Sequence, residues 1–115
     1  MSDSIKHISE VSLARCLRWH PGGIHSRSLS DWGVAFAGEA GEVCDVIKKL
    51  NRVRDGLDGN KRTPEELLKT DLGNEIADAY LYLDLLAQAA DINLFGAIAS
   101  KFNEVSSRMG FPERL

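Results

Sequence analysis

Between Ile76 and Ala90 the chain carries helical sequence that is apolar on nearly every face. At 3.6 residues per turn, Leu81 and Leu85 lie opposite Leu83. Such a helix needs neighbours all round, either in a bundle or between subunits. Asp84 is the exception set into it. No alternating run bounded by turns occurs, so no strand is predicted. The expected fold class is therefore all-α, with four main helices packed as a bundle. With 115 residues, the expectation is one domain spanning residues 1–115. Four helices alone leave the 76–90 segment partly uncovered, so oligomerisation is expected to complete the bundle.

The other helices follow from periodicity and punctuation. Ser4–Trp19 has a ragged apolar face of Ile5, Ile8, Leu13 and Leu17. His20-Pro21-Gly22-Gly23 ends it, because proline and glycine cannot carry it on. A second helix is predicted from Leu29 or Asp31 to Asn51, with Val43, Val46, Ile47 and Leu50 as its apolar stripe. Residues 52–62 read as a polar, glycine-containing loop. Thr63-Pro64-Glu65-Glu66 has the form of a helix start, with Thr63 as N-cap. That helix should reach Ala90. Asp91-Ile92-Asn93 then breaks the pattern and supplies a cap. The last helix, Leu94–Arg108, should turn Leu94, Ile98, Phe102 and Val105 inward and stop at Met109-Gly110-Phe111-Pro112.

Composition narrows the function classes. The formal net charge is −3, which argues against non-specific nucleic-acid binding. No run of 18 apolar residues exists and no signal-like segment opens the sequence, so a cytoplasmic protein without a membrane span is expected. Cys16 and Cys44 form no CxxC pair, and each falls inside a predicted helix, so they read as buried free thiols.

Chemistry concentrates in two acidic pairs, Glu39-Ala-Gly-Glu42 and Glu75-Ile-Ala-Asp78. In each, spacing i, i+3 brings the two side chains onto adjoining faces of one turn. Glu39 projects near the centre of the apolar stripe of its own helix, and Glu42 projects at its edge. An unpaired carboxylate on such a stripe is costly. If the two helices lie antiparallel, four carboxylates converge, and a cation among them relieves their repulsion. An all-carboxylate donor set favours Mg²⁺, with Mn²⁺ as a substitute, over zinc. Mg²⁺ commonly takes substrate phosphates as further ligands, so a phosphorylated substrate is expected. Acidic pairs at this spacing are also common on solvated helix faces. The small residues Ala40, Gly41, Ala77 and Ala79 favour close approach of the two helices.

GEAGEVCDVIKKL followed by NEIADAYLYLDLLA resembles the MazG-like, all-α NTP pyrophosphatase superfamily, whose hallmark is ExxE, a connector and then ExxD. The second half most resembles the dCTP pyrophosphatase and phage MazG-like branch. Tyr82 follows Asp78 by four residues, as in that branch, and INLFGAIASKFNEVSSR is similar to its final helix. The resemblance covers residues 29–112. It implies a MazG-like bundle, completed as a homodimer or homotetramer with the site near a subunit interface. It further implies hydrolysis of a nucleoside triphosphate to monophosphate and pyrophosphate. Glu39, Glu42, Glu75 and Asp78 would hold Mg²⁺, and Lys101 would neutralise phosphate charge. Tyr82, Trp32, Asn103 and His20 are candidates to touch the substrate.

The sequence departs from the family pattern in places. The connector, residues 43–74, is 32 residues long, more than is typical. Val105 stands where the dCTP-selective enzymes have asparagine, and Asn103 or Ser106 is the candidate replacement. The 20–23 segment resembles the family's base-binding segment only loosely. Base preference therefore does not carry over. Trp19, Trp32 and Phe36 could stack a base, with core packing the plainer reading for Phe36 and Trp32 the leading candidate; the plainer alternatives elsewhere are a solvated helix lysine for Lys101, a core edge with its hydroxyl outward for Tyr82 and a solvated loop for His20. A non-catalytic helical regulatory module that kept the fold is the competing reading, and phosphoribosyl-ATP pyrophosphatase is a third.

Overall fold

The computed structural model describes residues 2–57 and 64–115. Those residues form four α-helices and no strand. Helix α1 is Ser2–Trp19, followed by a 3₁₀ turn at Ile24–Ser26. Then come α2 (Leu29–Arg54), α3 (Glu65–Ala89) and α4 (Leu94–Met109). The all-α expectation therefore holds for the described residues. No single helix among them is long and apolar enough to cross a membrane.

Helix ends follow local chemistry. After Trp19 the chain turns on Gly23, whose φ of 81° suits glycine, and Ser26 Oγ donates to the Gly23 carbonyl at 2.7 Å. α2 runs three residues past the predicted Asn51. Arg52, Val53 and Arg54 are acceptable helix residues, and the stop comes instead at Gly56 (φ 66°), where Leu57 N donates to Arg52 O at 2.9 Å. Thr63, the predicted N-cap of α3, lies outside the described residues. Asn93 does cap α4: its side chain accepts from Gly96 N at 3.1 Å. Gly110 (φ 73°) closes that helix, with Phe111 N donating to Ser106 O at 2.8 Å.

The chain divides into two compact units, residues 1–29 with 84–115, and residues 30–83. The first has its buried side chains at Cys16, Ile24, Leu85, Ala87 and Ala89, with Ser12, Asp84 and Ser106 as buried polar groups. In the second, Trp32, Val46 and Leu68 are buried, whereas Cys44, expected to be buried, lies on the exposed side of α2. The predicted apolar faces are less covered than expected, with Ile8 and Leu17 exposed on α1 and Ile47 on α2. On α4, Ile98 and Phe102 are exposed, and the stripe borders an open apolar groove with Phe111 instead of a closed core. On α3, Ile76 is exposed although the segment that it opens is apolar nearly all round.

α3 ends on Asp91, a non-glycine residue at φ 57°, with Ile92 N donating to Ala87 O at 2.9 Å. This is the left-handed cap position where glycine is unstrained. The exposed 3.9 Å contact of Asp91 with His25 adds little to offset the strain. Asp91→Gly is expected to stabilise the chain by about 1 kcal/mol. The check is an upward shift of the urea midpoint.

Candidate functional site

The second unit sets α2 and α3 antiparallel, and sequence spacing shows how. Trp32, Glu39 and Val46 recur every seven residues on α2, so they share one face over four turns. Leu68, Glu75 and Tyr82 do the same on α3. The Trp32 and Tyr82 rings lie 6.5 Å apart at 44°. Two turns along, carboxylate oxygens of Glu39, Glu75 and Asp78 lie within 4.8 Å of one another. Two turns further in the same register are Val46 and Leu68, both buried. The acids thus occupy a polar layer between an aromatic layer and an aliphatic one. Ridge packing of the apolar layers brings the helices together, and it carries the acids with them.

Glu39 and Glu75 are half-buried, whereas Glu42 and Asp78 are exposed. Glu39 Oε2 and Glu75 Oε2 are sealed from solvent and have no hydrogen-bond partner. That is an unfavourable state for an acceptor. Burial holds the Glu39 carboxyl above the ordinary range, and the nearby Glu42 and Asp78 charges push it further. At Glu75 the largest cause is a side-chain hydrogen bond with Glu42, followed by burial and the charges of Glu42, Asp78 and Glu39. A carboxyl–carboxyl hydrogen bond requires a proton, so it favours the neutral form. No basic side chain offsets these effects at either residue.

The structure therefore brings six of the sequence-predicted site residues into one unit: Glu39, Glu42, Glu75, Asp78, Tyr82 and Trp32. Their surroundings sharpen the roles. Trp32 is buried against Tyr82, so it builds the site's apolar layer and offers no open stacking face within the chain. Gly41 does not act through close approach, since a methyl group there would meet nothing within 4 Å. Lys101, Asn103 and His20 belong to the other unit. Lys101 Nζ is exposed and sits 2.7 Å from Glu104 Oε2. Asn103 spends its amide on the chain itself: Leu115 N donates to its Oδ1 at 2.8 Å, and its Nδ2 donates to Leu115 O at 3.2 Å. His20 is half-buried, and its backbone N donates to Cys16 O at 2.8 Å.

Sequence reading missed the partners of Asp84. Ser9 Oγ donates to its Oδ1 at 2.6 Å, and Gln88 Nε2 donates to its Oδ2 at 2.8 Å. The signal was present as an acid on an apolar helix with a glutamine one turn later, but Ser9 lies 75 residues away.

Comparisons with protein-family models, with curated proteins and with solved structures find no match.

The raised carboxyls fix a sign for pH dependence. A carboxyl that is raised in the folded state binds more protons folded than unfolded between its two pKa values. The metal-free chain should therefore lose stability as pH climbs from the ordinary carboxylate range through the raised values. Glu39→Gln removes one of these groups. Thermal melts in EDTA should show the variant gaining on the wild type as pH rises from 4 to 8, by about a few degrees at most. A constant offset across that range would show that Glu39 does not carry this strain.

Proposed function

We propose that the chain is a Mg²⁺-dependent nucleoside triphosphate pyrophosphohydrolase that converts a (d)NTP and water to the (d)NMP and pyrophosphate. The observation that carries this reading is the meeting of Glu39, Glu75 and Asp78 oxygens within 4.8 Å, two of the residues each holding a sealed, unpartnered oxygen. Those atoms fit a divalent ion: the donors are all hard oxygens, and a cation supplies what both orphaned acceptors lack. Glu39, Glu75 and Asp78 would hold Mg²⁺, or Mn²⁺ in its place, with Glu42 as the fourth acid. When bound, the ion supplies charge neutralisation on the phosphates and a lowered pKa for water.

The chain's own residues account for the rest. The four acids repel a phosphate chain that arrives without a cation, so binding should be metal-dependent. Tyr82, half-buried one turn beyond Asp78, has its hydroxyl available as a hydrogen-bond donor to substrate. Lys101 is the candidate phosphate cation, and it would exchange its exposed Glu104 pairing for substrate. Direct attack by water, without a covalent phosphoryl-enzyme, is part of the proposal. The α–β bond, as against the β–γ bond, follows from the MazG-like resemblance. The ordinary role would be nucleotide house-cleaning or pool control in the cytoplasm. A homodimer or homotetramer is part of the proposal. It is supported by large apolar side chains left exposed in the chain, among them Val34, Ile76, Ile98 and Phe102.

A panel of NTPs and dNTPs with Mg²⁺ tests the reading. Monophosphate and pyrophosphate should form in equal amounts, and in ¹⁸O-water the label should enter only one of them. Glu39→Gln or Asp78→Asn should cut turnover at least a hundredfold while leaving the helical circular-dichroism signal intact. Orthophosphate and nucleoside diphosphate as first products would sink the mechanism. No release from any nucleotide would favour the non-catalytic helical module.

A further inference from the structure

The first unit contains a cavity of about 510 Å³ that uses none of the residues of the proposed nucleotide site. Its volume lies within the roughly 300–1,000 Å³ of small-molecule sites. Ile5, Ile92, Leu94 and Phe95 give it an apolar wall. Ile92 and Phe95 are exposed at its edge although both are large apolar side chains. The polar part is Asp84, Ser9 and Gln88, with Asn93 and Lys6 also on the lining.

The part around Asp84 and Gln88 is rich in acceptors. Asp84 is 1% exposed, which makes it the deepest charged residue among those described. Its carboxylate takes one hydrogen bond from Ser9 and one from Gln88, both neutral donors. An ionised carboxylate offers about four acceptor positions, so two remain. The two amide hydrogens of Gln88 are spent on Asp84 and on Ser9 O, which leaves its Oε1 as a further acceptor. Lys6 lines the same cavity, but no ion pair joins it to Asp84. A carboxylate this deep usually has a cationic partner.

We propose that this cavity is a second ligand site, taking a small organic cation: an amine or amidine head against Asp84 and Gln88, on an apolar or aromatic body seated against Ile5, Ile92, Leu94 and Phe95. The donor-rich head supplies the hydrogen bonds and charge that the protein omits there. The apolar body covers the exposed rim.

The test is titration of the full chain with benzamidine, followed by backbone and methyl NMR shifts, with benzamide as the neutral analogue of similar shape. Benzamidine should give saturable shifts at Ile5, Ile92 and Leu94, and benzamide should bind at least tenfold more weakly. Asp84→Asn should remove that preference for the cation. Because Asp84→Asn risks unfolding the unit, Phe95→Lys, at an exposed rim position, serves as a second variant. It should weaken benzamidine at least tenfold by placing a like charge at the mouth. The site is overturned if no saturable shift appears, if benzamide binds as well as benzamidine, if the shifts fall only around Glu39, Glu75 and Asp78, or if folded Asp84→Asn still prefers the cation.

Discussion

The mutual repulsion of Glu39, Glu75 and Asp78 is the constraint around which the second unit is organised. Three carboxylate oxygens within 4.8 Å do not gather by their own attraction. They are carried there by the layers on either side: the Trp32–Tyr82 ring contact in one direction, and buried Val46 and Leu68 in the other. Apolar burial supplies the favourable term and the acids oppose it. Keeping such opposition inside a helix pair makes physical sense where a cation balances it, and a hard divalent ion matches the donors. On the proposed reading, local stability is set against cation binding, a pattern common at functional sites.

The first unit handles its buried acid differently. Asp84 is tied by neutral donors from two helices, Ser9 of α1 and Gln88 of α3. Gln88 also donates to the Ser9 carbonyl at 3.1 Å, so three hydrogen bonds close a small network between those helices. Such a network fixes how α1 meets residues 84–89 at the end of α3 more narrowly than apolar contact alone. The clamp of Asn103 on Leu115 does similar work for the C-terminal tail, and it employs a side chain that sequence reasoning had offered to a substrate.

Much of the helical architecture was legible because it is local. The Pro-Gly break after His20, the Asn93 cap and the Gly110 stop act within four residues. The end of α2 was missed because Arg52-Val53-Arg54 is charged enough to resemble a loop yet compatible with helix. What periodicity could not reveal was which apolar stripes are covered. Ile98 and Phe102 occupy a regular helical face, but nothing in that spacing says whether a partner lies against it. The convergence of Glu39 with Glu75 and Asp78 was foreseeable from paired spacing on two helices. The sealing of one oxygen on each glutamate was not, because it depends on side-chain rotamers.

A cation site at these acids is open to experiment. Its most direct measurement is an EPR titration of Mn²⁺ into the metal-free chain, reading free Mn²⁺ by its six-line signal, beside Glu39→Gln and Asp78→Asn. Saturable loss of the free-ion signal is expected at one or two ions per chain, competed by Mg²⁺ and weakened at least tenfold in both variants. Titration curves that coincide for the wild type and the two variants would contradict it.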